Sequence, residues 1–413
     1  MHLSPARARR LVVSIVVAAL SLHAAAVAVQ VATGDDLQHP SAVVTLPSTQ
    51  PAVARRPALT DEQLTSVAAE LRAAYIKPPD QWPAPMVDEG VQFLELGLLP
   101  PVEHPESNPY SKAKAELGKQ LFFDPRLSGS KQIACASCHD PDLAWADGRT
   151  VAFGHDRQVG NRNTPSILNS AYATSMFWDG RASSLESQAR MPVINEIEMH
   201  ATPDAVAERV NGIEGYRVQF KAVFGVDRVT FDEIASAIAC FERTVVGGRS
   251  RFDAFLKGNQ DALSDSAIRG LHLFRTTARC VNCHHGPNFS DNQFHNIGLT
   301  YYGRKFEDLG RFQATRRPED VGKFKTPTLR NVTRTAPYMH NGFFELDGLL
   351  NLYNAGGPNV QPKDDAQRAD PMFPIKSRLI KPLGLNKQDL ADLTAFLHSL
   401  EEPKLRVRPP DLP

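Results

Sequence analysis

The chain has 413 residues, of which 42% are hydrophobic and 22% charged, with 31 Pro, 26 Gly and 5 Cys. That is the make-up of a loop-rich globular protein large enough for two domains, not of a disordered chain. Forty-six basic residues balance 46 acidic ones, which leaves no basic field to attract nucleic acid, and five cysteines are too few for a disulfide scaffold.

In chain order, Arg7, Arg9 and Arg10 precede an uncharged run from Leu11 to Thr33 that ends Ala-rich at Ala24-Ala25-Ala26. The pattern predicts an export signal over 1–33. A permanent membrane anchor is the alternative, against which His23 and Gln30 count. Either reading puts the working part outside the cytoplasm, in the periplasm. Residues 34–88 carry scattered Pro, Ala and Thr. They predict a linker with one docking helix, Thr60 to Tyr75, where Thr60 is the N-cap and Leu64, Val67, Leu71 and Tyr75 recur at helical spacing. Further on, Phe231, Ile234, Ile238, Phe241 and Val245 form one helical stripe. Leu390, Leu393, Leu397 and Leu400 form another behind an Asn386 cap. Alternating strand patterns are scarce, so the fold class is mainly α. The Gly/Pro/Asn-rich stretches 151–170 and 286–335 are longer than a compact domain tolerates unless the loops wrap something, and a prosthetic group would supply that core.

Cys135-Ala136-Ser137-Cys138-His139 and Cys280-Val281-Asn282-Cys283-His284 both read C-x-x-C-H, the attachment signature of c-type haem. One chance match has a probability of about 0.002 in this composition, so two exclude coincidence. Two thiols three apart on a helical turn reach the two vinyl-derived carbons of one porphyrin edge, and the adjacent imidazole points at the iron. Zinc would want four ligands brought together, and a thioredoxin-like site carries no obligatory histidine. Two covalent haems divide the chain into haem domains over 89–255 and 256–413. Cys240 sits beside the apolar stripe of its helix and reads as a small buried hydrophobe.

The segments Leu121-Phe122-Phe123-Asp124-Pro125-Arg126, Asn163-Thr164-Pro165, Phe177-Trp178-Asp179-Gly180-Arg181-Ala182, Phe241-Glu242-Arg243-Thr244 and Thr335-Ala336-Pro337-Tyr338-Met339-His340 resemble, in order, the bacterial dihaem cytochrome c peroxidase family, which includes the MauG-type enzymes. The resemblance runs from about residue 90 to 400. It implies two c-type cytochrome-like haem domains, with the peroxidatic haem on His139 and the electron-entry haem on His284. By the same resemblance Glu198 is the distal acid/base, Gln188 the distal glutamine and Trp178 the tryptophan between the haems. Asn163, Thr335 and Pro337 are then ligands of an inter-haem calcium ion, and His155 is the loop histidine that occupies the iron in some resting peroxidases. Without the haem context, Glu198 would be a solvated charge, Trp178 a core aromatic and His155 an ordinary loop histidine.

The distal methionine of the ordinary peroxidases has no counterpart in Gly348-Leu349-Leu350-Asn351-Leu352-Tyr353-Asn354. Tyr353 stands there instead, as in MauG-type enzymes, with one residue fewer after His340 than the family has. Met339 is the alternative ligand. An anionic phenolate favours higher oxidation states, whereas a thioether raises the potential. The leading expectation is a dihaem peroxidase that reduces hydrogen peroxide with electrons from a small cytochrome c or cupredoxin. A MauG-like enzyme that uses peroxide and high-valent haems to oxidise a protein or organic substrate is the second. A plain electron carrier, with both irons fully ligated, is the third. The resemblance also implies a homodimer as the assembly.

Overall fold

A computed structural model describes residues 53–404 and 406–413; the expected export segment lies outside the described residues. Twelve α-helices are found among them. They are α1 (Asp61–Tyr75), α2 (Lys112–Phe123), α3 (Leu185–Ile194), α4 (Pro203–Asn211), α5 (Glu214–Phe224), α6 (Phe231–Glu242), α7 (Arg251–Leu256), α8 (Asp265–Arg275), α9 (Phe312–Thr315), α10 (Leu346–Asn354), α11 (Asp365–Ala369) and α12 (Lys387–Ser399). Two short strands, β1 (Phe294–His295) and β2 (Phe324–Lys325), pair antiparallel, Phe294 with Lys325 and His295 with Phe324. The chain is mainly α, as its patterning predicts. No helix among the described residues is long and apolar enough to cross a membrane.

The helix starts are set by side chains that the sequence displays. Thr60 Oγ1 accepts from Gln63 N at 3.3 Å while Gln63 Oε1 accepts from Thr60 N at 2.9 Å, a closed capping box for α1. Thr230 with Glu233 and Asn386 with Asp389 do the same for α6 and α12. Helix α6 buries Phe231, Ile234, Ile238 and Phe241. It ends at Glu242, so Val245 of the predicted stripe is buried from the following turn rather than from the helix.

Two cores result. One gathers Leu117, Leu121, Phe122, Trp145, Ile234, Ile238 and Phe241. The other gathers Phe252, Phe274, Phe289, Phe396 and Leu397 together with Tyr75 and Trp82 from the linker region. Helix α1 therefore docks on the C-terminal core, where Tyr75 Oη lies 3.0 Å from His272 Nδ1.

The two cores are built alike. Gly118 of α2 meets α6 so closely that a Cβ there would lie 1.8 Å from the Ala237 carbonyl oxygen. Gly270 of α8 meets α12 in the same way, with a Cβ 1.9 Å from Asp392 O. One turn further along each helix the phenylalanines touch: Phe122–Phe241 centroids are 5.3 Å apart at 60°, and Phe274–Phe396 are 5.2 Å apart at 59°. Each glycine lets two backbones cross at contact, and each crossing is followed by a C-x-x-C-H segment.

Candidate haem-binding and distal site

Both C-x-x-C-H segments fold as one tight turn. Cys138 N and His139 N donate to Cys135 O at 3.1 and 3.0 Å; Cys283 N and His284 N donate to Cys280 O at 3.2 and 2.8 Å. This geometry presents two thiols and an imidazole on one side. His139 Nδ1 lies 3.1 Å from Trp145 O, and His284 Nδ1 lies 3.0 Å from Phe289 O. A carbonyl can only accept, so each ring carries its proton on Nδ1 and turns the Nε2 lone pair outward as a metal ligand. Burial lowers the pKa of both rings and keeps them neutral. The carbonyls belong to residues in left-handed backbone, Trp145 at φ 64° and Phe289 at φ 54°, a conformation that costs on the order of 1 kcal/mol outside glycine.

The four thiols are not bridged. Burial pushes Cys135 and Cys280 up to about 12, Cys138 up to about 11 and Cys283 higher still. Buried neutral thiols are poor nucleophiles, and their placement two by two beside an imidazole fits thioether attachment. Cys283, Asp291 and His295 do bring ligand atoms within 4.8 Å of one another, but Cys283 belongs to the attachment turn and His295 Nε2 is held by Asp291 Oδ2 at 2.7 Å. A cavity of about 140 Å³ opens at the C-terminal turn, bordered by Cys280, Cys283, His284, Trp178, Met339 and Tyr353. Two more lining residues, Arg279 and His340, bury side-chain nitrogens (Nε and Nε2) that have no hydrogen-bond partner. Orphaned polar groups beside neutral thiols and an oriented imidazole fit a haem with its carboxylates.

Tyr353, on α10, lines the same cavity as Cys280 and Cys283, and burial raises its phenol. Met339 lines the same cavity from a left-handed position, φ 72°. Cys240 is fully buried, as its helix position predicts.

At the N-terminal site, Glu198 sits in the loop after α3. Burial raises its pKa, partly offset by Arg181 and by Asn195, whose Nδ2 donates to Oε1 at 2.7 Å. Its charge reaches Cys138, whose thiol it helps to raise. Gln188 is carried on α3, ten residues earlier. The His155 loop docks on the Glu198 loop: His155 N donates to Ile197 O at 2.8 Å and to Glu198 O at 2.9 Å. Gly154 makes this approach feasible, since a Cβ there would lie 2.1 Å from Ile197 O. The His155 ring stacks on His200, centroids 4.5 Å apart at 7°, and its Nδ1 is buried without a partner. His200 was not among the expected site residues, and nothing in its sequence surroundings marks it.

Between the two sites, Trp178 Nε1 donates to Asn163 O at 2.9 Å, and Asn163 N donates to His340 O at 2.7 Å. The Trp178 ring meets His340 edge-on at 6.5 Å, and His340 lies flat on Phe324 at 3.6 Å and 9°. Burial holds His340 down at about 4. Trp178, Asn163 and the 335–340 loop are thus brought together. Thr335 turns back within that loop, where its N and Oγ1 both donate to Val332 O. Pro337 follows a cis peptide bond. Arg162 ties the region down through Asp308 (Nε–Oδ2 2.6 Å) and Asp179 (Nη1–Oδ2 2.5 Å), pairs that only the fold reveals.

Residues 112–261 match the family model described as di-haem cytochrome c peroxidase. The chain is 39% identical over 318 residues to the methylamine utilization protein MauG of Methylorubrum extorquens, covering 76% of this chain and 85% of that one. It is 40% identical over 330 residues to cytochrome c551 peroxidase of Nitrosomonas europaea, covering 78% and 92%. Among solved structures it is similar to a MauG-like protein associated with microbial copper homeostasis, with a TM-score of 0.66, 34% identity and coverage of 73% of this chain and 93% of that one.

Proposed function

This chain belongs to the di-haem cytochrome c peroxidase family, and we propose that it reduces hydrogen peroxide to water at the haem carried by Cys135, Cys138 and His139. Electrons enter through the haem on Cys280, Cys283 and His284 from a small cytochrome c or cupredoxin in the periplasm. The observation that carries this reading is the Glu198 pocket. A half-buried carboxyl of raised pKa is held by Asn195 and lies within electrostatic reach of Cys138.

The bound haem supplies the redox chemistry at its iron, and the protein orients peroxide and handles protons. Glu198 takes a proton from peroxide at Oε2 and returns it to the departing oxygen, while Oε1 stays on Asn195 Nδ2. Gln188, carried on α3, is proposed as the amide donor to the same peroxide, and Trp178 lies on the path between the two sites. His155, stacked on His200, covers the approach. Asn163, Thr335 and Pro337 hold a calcium ion; Asn163 spends Nδ2 on Arg149 O at 2.7 Å, which leaves Oδ1 as the hard oxygen such an ion takes.

One observation favours the MauG-like reading, in which peroxide drives oxidation of a protein or organic substrate. Tyr353 lines the cavity at the Cys280–Cys283 turn, where its phenol would ligate iron as a phenolate and support higher oxidation states. Replacing Glu198 by Gln tests the proton role common to both readings. Peroxide turnover falls by about 10²–10⁴ while both haems stay attached; undiminished turnover removes Glu198 from the reaction.

A further inference from the structure

Glu242 closes α6 with 4% of its surface exposed, and its Oε2 is buried with no hydrogen-bond partner among the described residues. The cation that acts on it, Arg243, is committed elsewhere. Arg243, the next residue, forks onto Glu186 of α3 through Nη1–Oε1 at 2.6 Å and Nη2–Oε2 at 3.1 Å. On the helices packed against α6, Lys114 of α2 donates to Asn108 Oδ1 and Pro109 O, and Arg209 of α4 donates to the carbonyls of Arg126 and Ser128. His104 is kept neutral by burial, with Arg243 and Lys114 adding to the effect. An unpaired carboxylate in such a place costs several kcal/mol, which favours the protonated acid until a nearby positive charge, such as that of a ferric iron, offsets the cost. Burial pushes it up to about 8, with Arg243 pulling down and Glu186 pushing up.

This acid also borders the N-terminal haem site. After burial, the Glu242 charge is the largest cause that raises the Cys135 thiol. Its neighbour Phe241 packs on Phe122 and Trp145 at 5.3 and 6.0 Å, and Trp145 O is the oxygen that holds His139. Glu242 is thus the last residue of a helix whose Phe241 packs behind the His139 turn.

We propose that Glu242 is a redox-linked proton site of the haem attached at Cys135: it takes up a proton when that iron is reduced and releases it when the iron is oxidised. The step balances. One electron passes from a one-electron donor to the ferric iron, one proton passes from solvent to the Glu242 carboxylate, and the local charge is unchanged. Both leave on reoxidation. Such a site ties the potential of one haem to pH and leaves the other alone. It rests on haem attachment at Cys135 and not on the peroxide reaction.

The test is a mediator redox titration of the holoprotein from about pH 6 to about pH 9, in the unaltered protein and in Glu242→Gln, with the attached-haem mass confirming both cofactors in each. The expected result is a potential for one haem that falls as the pH rises, with that slope lost or strongly reduced in the variant and Glu198 still in place. An unchanged slope in the variant overturns the proposal. Redox-difference infrared spectra of the unaltered protein decide the matter if the variant does not fold. A protonated-carboxyl band that responds to reduction supports Glu242, and its absence overturns the assignment.

Discussion

His139 and His284 each give Nδ1 to a backbone carbonyl, and that single bond fixes which nitrogen each ring offers to iron. The thiols and imidazoles were legible because C-x-x-C-H is a residue-type signal. The carbonyls of Trp145 and Phe289 were not, because a main-chain atom has no letter of its own. Glu198 was legible only through family resemblance; its environment, which sets its pKa, comes from Asn195 and burial. Since the ionised form must accept the proton, kcat/KM falls as pH drops through a pKa above the ordinary carboxylate range. A pH–rate profile checks this, and an acid limb at the ordinary carboxylate value counts against Glu198. Glu242 makes a stability statement of the opposite sense. Its folded pKa of about 8 exceeds the ordinary value of 4.5, so the native state binds the extra proton. The contribution is complete below pH 4.5 and is lost as pH rises through 8. Urea midpoints at about pH 6 and about pH 9 should therefore converge in Glu242→Gln.

Helices α1 and α12 announced themselves through capping residues and apolar periodicity, and α6 through periodicity alone, because both are local properties. The stretches 151–170 and 286–335 did not, because long-range bonds shape them. Asn163 N reaches His340 O, and Ser290 Oγ donates to Thr326 O at 2.7 Å. The His155 loop is the functional case. Its place against Glu198 depends on Gly154, and even a methyl group there collides with Ile197 O. Gly154→Ala should leave both haems attached but lower peroxide turnover, read as initial rates at matched haem content; an unchanged rate frees the loop from the reaction. The helix crossings make a matching pair of expectations. Gly118→Val or Gly270→Val forces side-chain bulk onto Ala237 O or Asp392 O and should each cost at least about 1–3 kcal/mol of stability, measured by urea unfolding.

Across the whole molecule, one plan is used twice. A G-x-x-L-F segment, Gly118 to Phe122 and again Gly270 to Phe274, crosses a later helix at contact and leads into an attachment turn. The repeat was present in the letters but is too short to read without the crossings that explain it. The halves diverge where function asks for difference. One brings Glu198, against which the His155 loop docks, within electrostatic reach of Cys138, and the other places Tyr353 and Met339 around a cavity. Tyr353→Met should therefore raise the potential of one haem only, seen as a shift of a single wave in a redox titration. The account stands on two differently ligated haems, one of them open to peroxide. Low-temperature electron paramagnetic resonance of the oxidised holoprotein, recorded before and after addition of hydrogen peroxide, tests this directly. Two distinct ferric signals are predicted, of which the one from the peroxide-accessible haem loses intensity on oxidation, whereas a spectrum that peroxide leaves untouched contradicts the account.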